Sequence, residues 1–494
     1  MVIEKNPLLI RAKDIACMVP YWDMVDAIVE GSNAIKAAGI TYLPKFPDEL
    51  QCDYDFRLQM SKFTNIYRDV LEGLATKPFE EEITLIGGEE IPEFFDEFVE
   101  DVDGFGNNIS TFSALTFFNG INSALDWIFV DYPNIDKKTV LSVADAKQNN
   151  IKPFWTHVLA RNVYEVRTAL IGSEKVLSYI RVCEPSIDGV EPNHIRVFER
   201  IGDVVTWTLY KEVKDAKTPE AQVVEVDKGK LSISTIPFVP FVTGRRDGNT
   251  FRFFPSMKDA ADLQITLYQD ESGLQYIKTM AGYPMLAANG MKPAMESDGK
   301  TPKKVAIGPM RVLYGVPDAN GGHGEWKFIE PNANSMEFLK KDIDKTKQDL
   351  RELGRQPLTA LSTQLTTVTT SIAAGKARSA VTAWALGLKD SLENALKITA
   401  MYIGDKYEAE VNVYTGFDNV KDDGSDLDTL DKARERGDLS QQTFWQELKR
   451  RKVLSPEFNS VDEEKRLFDE IPSDGNEDLT LTQPNPDGNG ATIG

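Results

Sequence analysis

The spacing of apolar residues changes character twice along this chain, and that limits the folds open to it. Up to about residue 150 apolar side chains recur at helical spacing, as in Met24, Val25, Ile28, Val29 and Ile35 within Tyr21–Ala38. Between about 151 and 250 they alternate, in the runs Val176–Cys183, His194–Phe198, Val204–Tyr210 and Gln222–Val226. From residue 256 helical spacing returns, and the stretch from Ile372 to Ile403 is long enough for one helix of about 48 Å at ~1.5 Å per residue. Helical and alternating blocks are segregated along the chain. They predict an α+β chain with an antiparallel sheet.

The finer reading follows from breakers and caps. One helix is expected over Tyr21–Ala38, then the Pro-rich turn Leu43–Glu49, then a second helix over Asp53–Leu74. The acidic stretch Glu80–Asp103, with Phe94, Phe95 and Phe98 interleaved, reads as a solvated helix with one buried aromatic edge, and Asn108–Asp131 as a third helix. A long helix over Ser256–Ala281 stops at Gly282-Tyr283-Pro284, and strand-like pieces follow at Lys304–Ile307 and Met310–Tyr314. A helix over Ser335–Leu353 opens with Asn334 as its expected N-cap and Glu337 at the third position, the capping-box arrangement. After Gly354 comes the hydroxyl-rich run Leu361–Ser371, then the long helix, a strand at Glu410–Tyr414 and two acidic helices within 425–470. Residues 473–494 hold almost no apolar side chains and are expected to be disordered.

With 494 residues, two or three compact bodies are expected. No window approaches an uncharged apolar run of about 18 residues, and the start lacks the apolar core of a signal peptide, so neither a membrane span nor secretion is expected. Cys17, Cys52 and Cys183 have neither pairing nor metal spacing and read as buried, inert thiols; His157, His194 and His323 are equally scattered. The net charge of −21 is opposite to what a protein gripping nucleic acid presents. Either the chain never meets DNA, or it surrounds DNA without holding it.

Two long helices bracketing a Gly/Pro-rich insertion, a hydroxyl-rich segment behind the second and a long helix after that form an order of parts that resembles the portal proteins of tailed bacteriophages. The words agree: Tyr21-Trp22-Asp23, the turn Tyr42–Pro47, Tyr54 with Arg57, Phe63-Thr64-Asn65 through Arg68 to Leu74, Lys152–Trp155, Ile236–Val239, Asp262-Leu263, Pro284–Leu286 with Gly290, and Ile307-Gly308-Pro309. They resemble a portal family long catalogued as a domain of unknown function, over nearly the whole chain before the tail. The 80–103 segment and the tail match nothing in it.

The resemblance implies a portal fold with an α/β wing, a two-helix stem, a small α/β clip, a long channel-side helix and a helical C-terminal crown. It places the wing at 1–254, the stem helices at 255–281 and 335–354 and the clip at 282–334. The channel loop falls at 355–371, the long wing helix at 372–403, the crown at 404–472 and the tail at 473–494. It implies a homo-oligomeric ring, usually of twelve, at one capsid vertex of the virion, assembled in the host cytoplasm. Its partners would be double-stranded DNA, large terminase, a head-tail adaptor, and the major capsid and scaffolding proteins, with no cofactor, metal or membrane.

The candidate residues carry plainer readings beside this one. Lys340, Lys341, Lys345, Lys347, Arg351 and Arg355 stand against Glu337, Asp342, Asp344, Asp349 and Glu352. They are either a solvated helix with i,i+4 pairs or a weakly basic girdle that centres DNA. Thr366, Thr367, Thr369 and Thr370 are either an ordinary loop or small hydroxyls at a constriction touching a moving phosphate backbone. Lys292, Glu296, Asp298, Lys300, Lys303 and Lys304 are either an exposed loop or the surface that docks terminase and then the adaptor. There is no phosphate loop, nucleophile elbow, zinc helix or dinucleotide fingerprint, so no catalytic residue is assigned. A minor head or adaptor subunit without a channel is the rival reading, and an enzyme of unknown type a third.

Overall fold

Helix breakers, more than apolar period, decide where the elements of this chain end. The computed structural model describes residues 6–88, 91–133, 151–184, 193–214, 221–282, 285–289, 325–329, 333–353, 367–415 and 425–450, with Val453, Leu454, Phe458, Glu463 and Arg466. After the short α1 (Lys13–Ala16), the helix expected over Tyr21–Ala38 is split into α2 (Val19–Glu30) and α3 (Ser32–Ala37) by Gly31, at φ 102°. The helix expected over Asp53–Leu74 is likewise two, α4 (Gln51–Met60) and α5 (Ile66–Ala75), because Ser61 turns extended and Asn65 starts a new helix by accepting the N–H of Arg68. Arg57 of α4 is buried and holds the Pro-rich turn: it donates to both carboxylate oxygens of Glu49 at 2.8 Å and to the Pro44 carbonyl at 2.7 Å.

The acidic stretch is not one helix. Gly87 and Gly88 stand at positive φ, so the segment divides into β1 (Thr84–Ile86) and α6 (Glu93–Phe98). The buried aromatic edge is there, with Phe95 and Phe98 inside. The third helix is also shorter than expected: α7 (Ile109–Ser123) stops where Ala124 takes φ 69°, and Leu125 and Ile128 belong to β2 (Leu125–Asp131). Period alone does not separate a buried strand from a buried helix segment.

β3 (Phe154–Val158) and β9 (Phe238–Val242) flank β2 in a three-stranded antiparallel sheet. A five-stranded antiparallel sheet holds β4 (Val163–Ile171), β5 (Glu174–Glu184), β6 (His194–Ile201), β7 (Val204–Lys214) and β8 (Ala221–Lys230) in chain order. The last four are the strands expected from alternation, each longer by a few residues. Phe129, Phe198 and Phe238 join the two sheets, with ring centroids 4.4 to 5.6 Å apart. A small hairpin follows, β10 (Arg245–Arg246) with β11 (Phe253–Phe254).

The remaining elements are α8 (Lys258–Gly282), the paired strands β12 (Met285–Asn289) and β13 (Glu325–Ile329), α9 (Ala333–Leu353), α10 (Thr367–Ile403) and β14 (Glu410–Asn412), which pairs with β1. α9 begins before Asn334, so Asn334 lies in its first turn and is not its cap. The strand pieces expected at 304–307 and 310–314 and the tail 473–494 lie outside the described residues. The chain divides into two compact units, Met1–Phe417 and Asp418–Gly494; the second holds α11 (Ser425–Glu435) and α12 (Gln441–Arg450). The architecture is α+β.

α10 is fastened along the three-stranded sheet. Trp384 donates to the Thr243 carbonyl at 3.2 Å, Ser391 to the Pro240 carbonyl at 3.1 Å, and Trp155 of β3 to the Thr399 hydroxyl at 3.0 Å. Leu388, Leu392 and Leu396 are fully buried between these anchors. α7 packs so closely on β9 that a β-carbon at Gly120 would lie 2.3 Å from the Phe241 ring.

Two outcomes are expected. Gly120→Ala costs about 1–3 kcal/mol by overpacking, whereas Gly387→Ala, whose β-carbon would meet its nearest atom at 3.8 Å, is tolerated; thermal melts of the pair check this. The second concerns Asp126, fully buried in β2 against His157 Nε2, where burial pushes its carboxyl up to about 6 against the opposing bond to His157. The folded chain holds a proton that the unfolded chain, with a carboxyl near about 3.9, releases. That contribution is complete below about pH 4 and is lost as pH rises through about 6. Relative to Asp126→Asn, the wild type gains on the order of 2–3 kcal/mol between pH 7 and pH 4; denaturant titrations showing a pH-independent difference contradict it.

Candidate functional site

α8 and α9 form an antiparallel hairpin, closed at its far end by β12 and β13. Its root is inside the protein. Ala260, Ala261, Leu267, Tyr268 and Leu274 of α8 and Ile343 and Leu350 of α9 are buried. Two polar residues share that buried face. Gln264, fully buried, accepts the N–H groups of Ile66 and Tyr67 at 3.0 Å and donates to the Thr64 carbonyl at 2.9 Å, so it satisfies first-turn donors of α5 that lack intrahelical partners. Glu271, 3% exposed, accepts from the Thr64 hydroxyl at 3.0 Å and pairs with Lys347 at 2.9 Å and Lys62 at 3.7 Å.

Beyond Leu274 and before Ile343, none of the described side chains of either helix is buried. The described side chains of both helices past these points are half-buried or exposed. Phe338, 70% exposed, stands on this part.

The sequence-predicted cations divide. Lys347 is turned inward onto Glu271 and does not join an outward-facing girdle. Lys341 is exposed and pairs with Glu337 at 3.1 Å, one helical turn away. Lys340, Lys345 and Arg351 are exposed. At roughly 100° per residue, Lys341 and Lys345 lie opposite Ile343, with Lys340 and Arg351 to one side. Both readings of this helix thus have residues to support them, i,i+4 pairing at Lys341 and exposed charge at the other three.

Thr367, Thr369 and Thr370 lie in the first turn of α10, which starts five residues before the expected Ile372, so the helix takes in the end of the segment read as a loop. Thr366 and Arg355 lie outside the described residues, as do Lys292, Glu296, Asp298, Lys300, Lys303 and Lys304. Two of the three thiols correct their reading: Cys183 is buried, but Cys17 and Cys52 are exposed, Cys17 just past the end of α1 and Cys52 on the side of α4 away from buried Tyr54 and Arg57. Sequence reading passed over Gln264 and Glu271. Their signal was available, two polar residues at i and i+7 with Tyr268 between them on one helical face.

Among the described residues no group of three or more His, Cys, Asp or Glu is placed to hold a metal ion, and no helix is long and apolar enough to cross a membrane.

A family model described as a domain of unknown function (DUF4055) matches residues 256–403, from the start of α8 to the end of α10. No curated protein matches the chain. Among solved structures it is similar to a chain in the neck of a native gene transfer agent (GTA) particle computed with C12 symmetry, at 11% identity and a TM-score of 0.38, covering 82% of this chain and 89% of that one. It is also similar to a chain in the virion of a native GTA particle, at 11% identity and 0.36, covering 82% and 96%. A third, in the neck of an empty GTA particle computed with C6 symmetry, has 12% identity and 0.39, covering 76% and 86%.

The buried carboxylate gives a direct test of the root. Lys347→Met leaves Glu271 with its weaker partners and is expected to cost about 1–3 kcal/mol, part of which Glu271→Gln in the same chain restores. Lys341→Met, whose partner is exposed, stays within about 0.5 kcal/mol. Additive losses in the double variant contradict the coupling.

Proposed function

We propose that this chain is the portal subunit of a phage-like particle, a structural protein whose ring passes double-stranded DNA and catalyses nothing. The observation that carries the proposal is the helical hairpin: two long antiparallel helices, rooted in an α+β body by Gln264 and Glu271, with a strand pair at the end away from that root and a 37-residue helix packed along the body. In this reading the two helices are the stem, the strand pair belongs to the clip, and the long helix follows as part of the wing. A helix pair with an exposed Phe338 suits lateral neighbours, since an apolar side chain left in water favours a contact that covers it.

The charge fits a conduit better than a grip. A net charge of −21 per subunit repels phosphate, while Lys340, Lys345 and Arg351 on the exposed side of the hairpin offer a few weak contacts. Phosphate affinity scales with the number of phosphates neutralised, so few cations in an acidic tube centre a duplex without arresting it. In this reading residues 282–334 meet terminase and later the adaptor, and the body contacts capsid and scaffolding proteins.

The expected result is closed rings of about a dozen subunits with a central hole, seen by negative-stain microscopy and mass photometry, and duplex binding that vanishes by moderate salt. Replacing Lys340, Lys345 and Arg351 with Gln should leave ring assembly unchanged and lower the DNA content of particles built with the ring. A closed disc without a hole, or full DNA content with the triple variant, favours an adaptor or minor head subunit.

A further inference from the structure

Opposite charges stand at the two ends of the three-stranded sheet. At the end where β2 begins, the N–H groups of Thr243 and Gly244 both donate to the Ala124 carbonyl, at 3.1 and 2.9 Å, and the chain passes straight into the β10–β11 hairpin. Arg245 and Arg252 lie over the Phe254 ring at 5.3 and 5.0 Å, and Arg246 lies over Phe251 at 4.6 Å. Arg246 Nε also donates to the Thr250 carbonyl at 2.7 Å, so its guanidinium is held in place before any partner arrives. Arg245 and Arg246 are exposed. Lys175 reaches Asn249 at 3.2 Å, which brings the β4–β5 turn and its 72% exposed Leu170 beside the arginines.

The far end of β2 is acidic. There Val130 pairs with Trp155, whose N–H donates to the Val102 carbonyl at 2.7 Å and whose ring packs on Phe98. α6 and the turn after it leave Glu97 and Glu100 exposed. Ile109 donates to the Val99 carbonyl at 2.8 Å and Ile83 to the Ser110 hydroxyl at 2.9 Å, which brings exposed Glu82 alongside. Phe105 is 90% exposed on a loop tied down by Asp101, which accepts the N–H groups of Gly104 and Gly106 at 2.9 Å, and by Asp103, which accepts that of Phe105 at 3.0 Å. An aromatic ring held in water by so many bonds is a preformed anchor. Between the two patches lie the seven residues of β2, about 20 Å at ~3.3 Å each.

We infer that these patches are the two halves of one contact, the basic end of one copy seated on the acidic end of the next, an inference that rests on the ring reading above. Each patch has an exposed apolar side chain among charges, the composition of an interface with a dry centre and a polar rim. Each repels its own kind, so a two-fold pairing of like with like is disfavoured. Because the patches occupy opposite ends of one rigid sheet, the contact is head to tail and propagates around a ring. The acidic segment that the sequence left without a role then has one: it receives the arginines of the neighbouring subunit.

The test uses two charge-swapped versions of the full chain, Arg245→Glu with Arg246→Glu, and Glu82→Lys with Glu97→Lys and Glu100→Lys. All of these side chains are exposed, and circular dichroism with thermal melts checks that each variant folds. In sedimentation velocity at low salt the wild type is expected to assemble, with assembly weakening as salt rises. Each variant alone should remain monomeric, its apparent dissociation constant raised roughly a hundredfold or more by like charges facing one another. An equimolar mixture should assemble again, because alternating subunits restore every contact. Assembly of either variant alone at wild-type strength overturns this contact and leaves the ring reading standing. Failure of the mixture to assemble overturns the pairing of these two patches. A wild type that stays monomeric overturns both readings. Normal assembly of the arginine variant with loss of binding to a labelled duplex reassigns the hairpin to nucleic acid.

Discussion

The hairpin is positioned by a buried glutamine. Gln264 sits on α8, but its bonds run to the first turn of α5 and to the carbonyl of Thr64. A buried polar side chain without partners costs more than its bonds contribute in excess of water, so this geometry has few alternatives once α8 packs. Thr64 bonds Glu271 two turns farther along α8, and Glu271 fixes α9 through Lys347. The segment 61–65, which interrupts what would otherwise be a single helix, is therefore the socket into which the hairpin is set.

That socket explains what was readable in the sequence and what was not. Strands β5 to β8 were legible because short β-rich runs such as Val176–Cys183 and Val204–Tyr210 stand between turn residues, although burial along them does not alternate: Ile180, Arg181, Val182 and Cys183 are all buried, and Val224 and Val226 are exposed. β2 was not, since both of its faces are covered: Leu125–Val130 is buried at every position, Asp126 included, so nothing alternates. The breaks at Gly31 and at 61–65 were hidden because apolar residues continue at helical spacing on both sides, and only backbone conformation changes. Of the candidate residues, Lys347 was misplaced for a tertiary reason, as its carboxylate partner is distant in sequence and buried on another helix. The arginine hairpin escaped notice although Asp247-Gly248 is a turn signal with Arg and Phe on both sides. Its significance lies in the ring stacking and in its distance from the acidic end, neither of which a one-dimensional reading contains.

Net charge hides this arrangement too. A chain of −21 looks uniformly acidic, yet the excess is spread unevenly, with Glu82, Glu97 and Glu100 at one end of a sheet and Arg245 and Arg246 at the other. Such a body has a dipole as well as a charge. Like net charge repels two copies at long range, and in the proposed contact the dipole orients one copy against the next once they are within about a Debye length.

The one-sided burial of the α8–α9 hairpin has a mechanical consequence. With its fully buried side chains ending at Leu274 and Ile343, it behaves as a beam anchored at one end. A load applied at its tip produces the largest bending moment at the clamp, where Gln264 and Glu271 stand, and not at the strand pair that receives the load. Polar bonds with narrow distance limits make a stiff joint where apolar packing alone would permit sliding. A deflection of the strand pair would therefore reach α5 and Thr64 as torque, at the centre of the body, and would not be taken up along the helices.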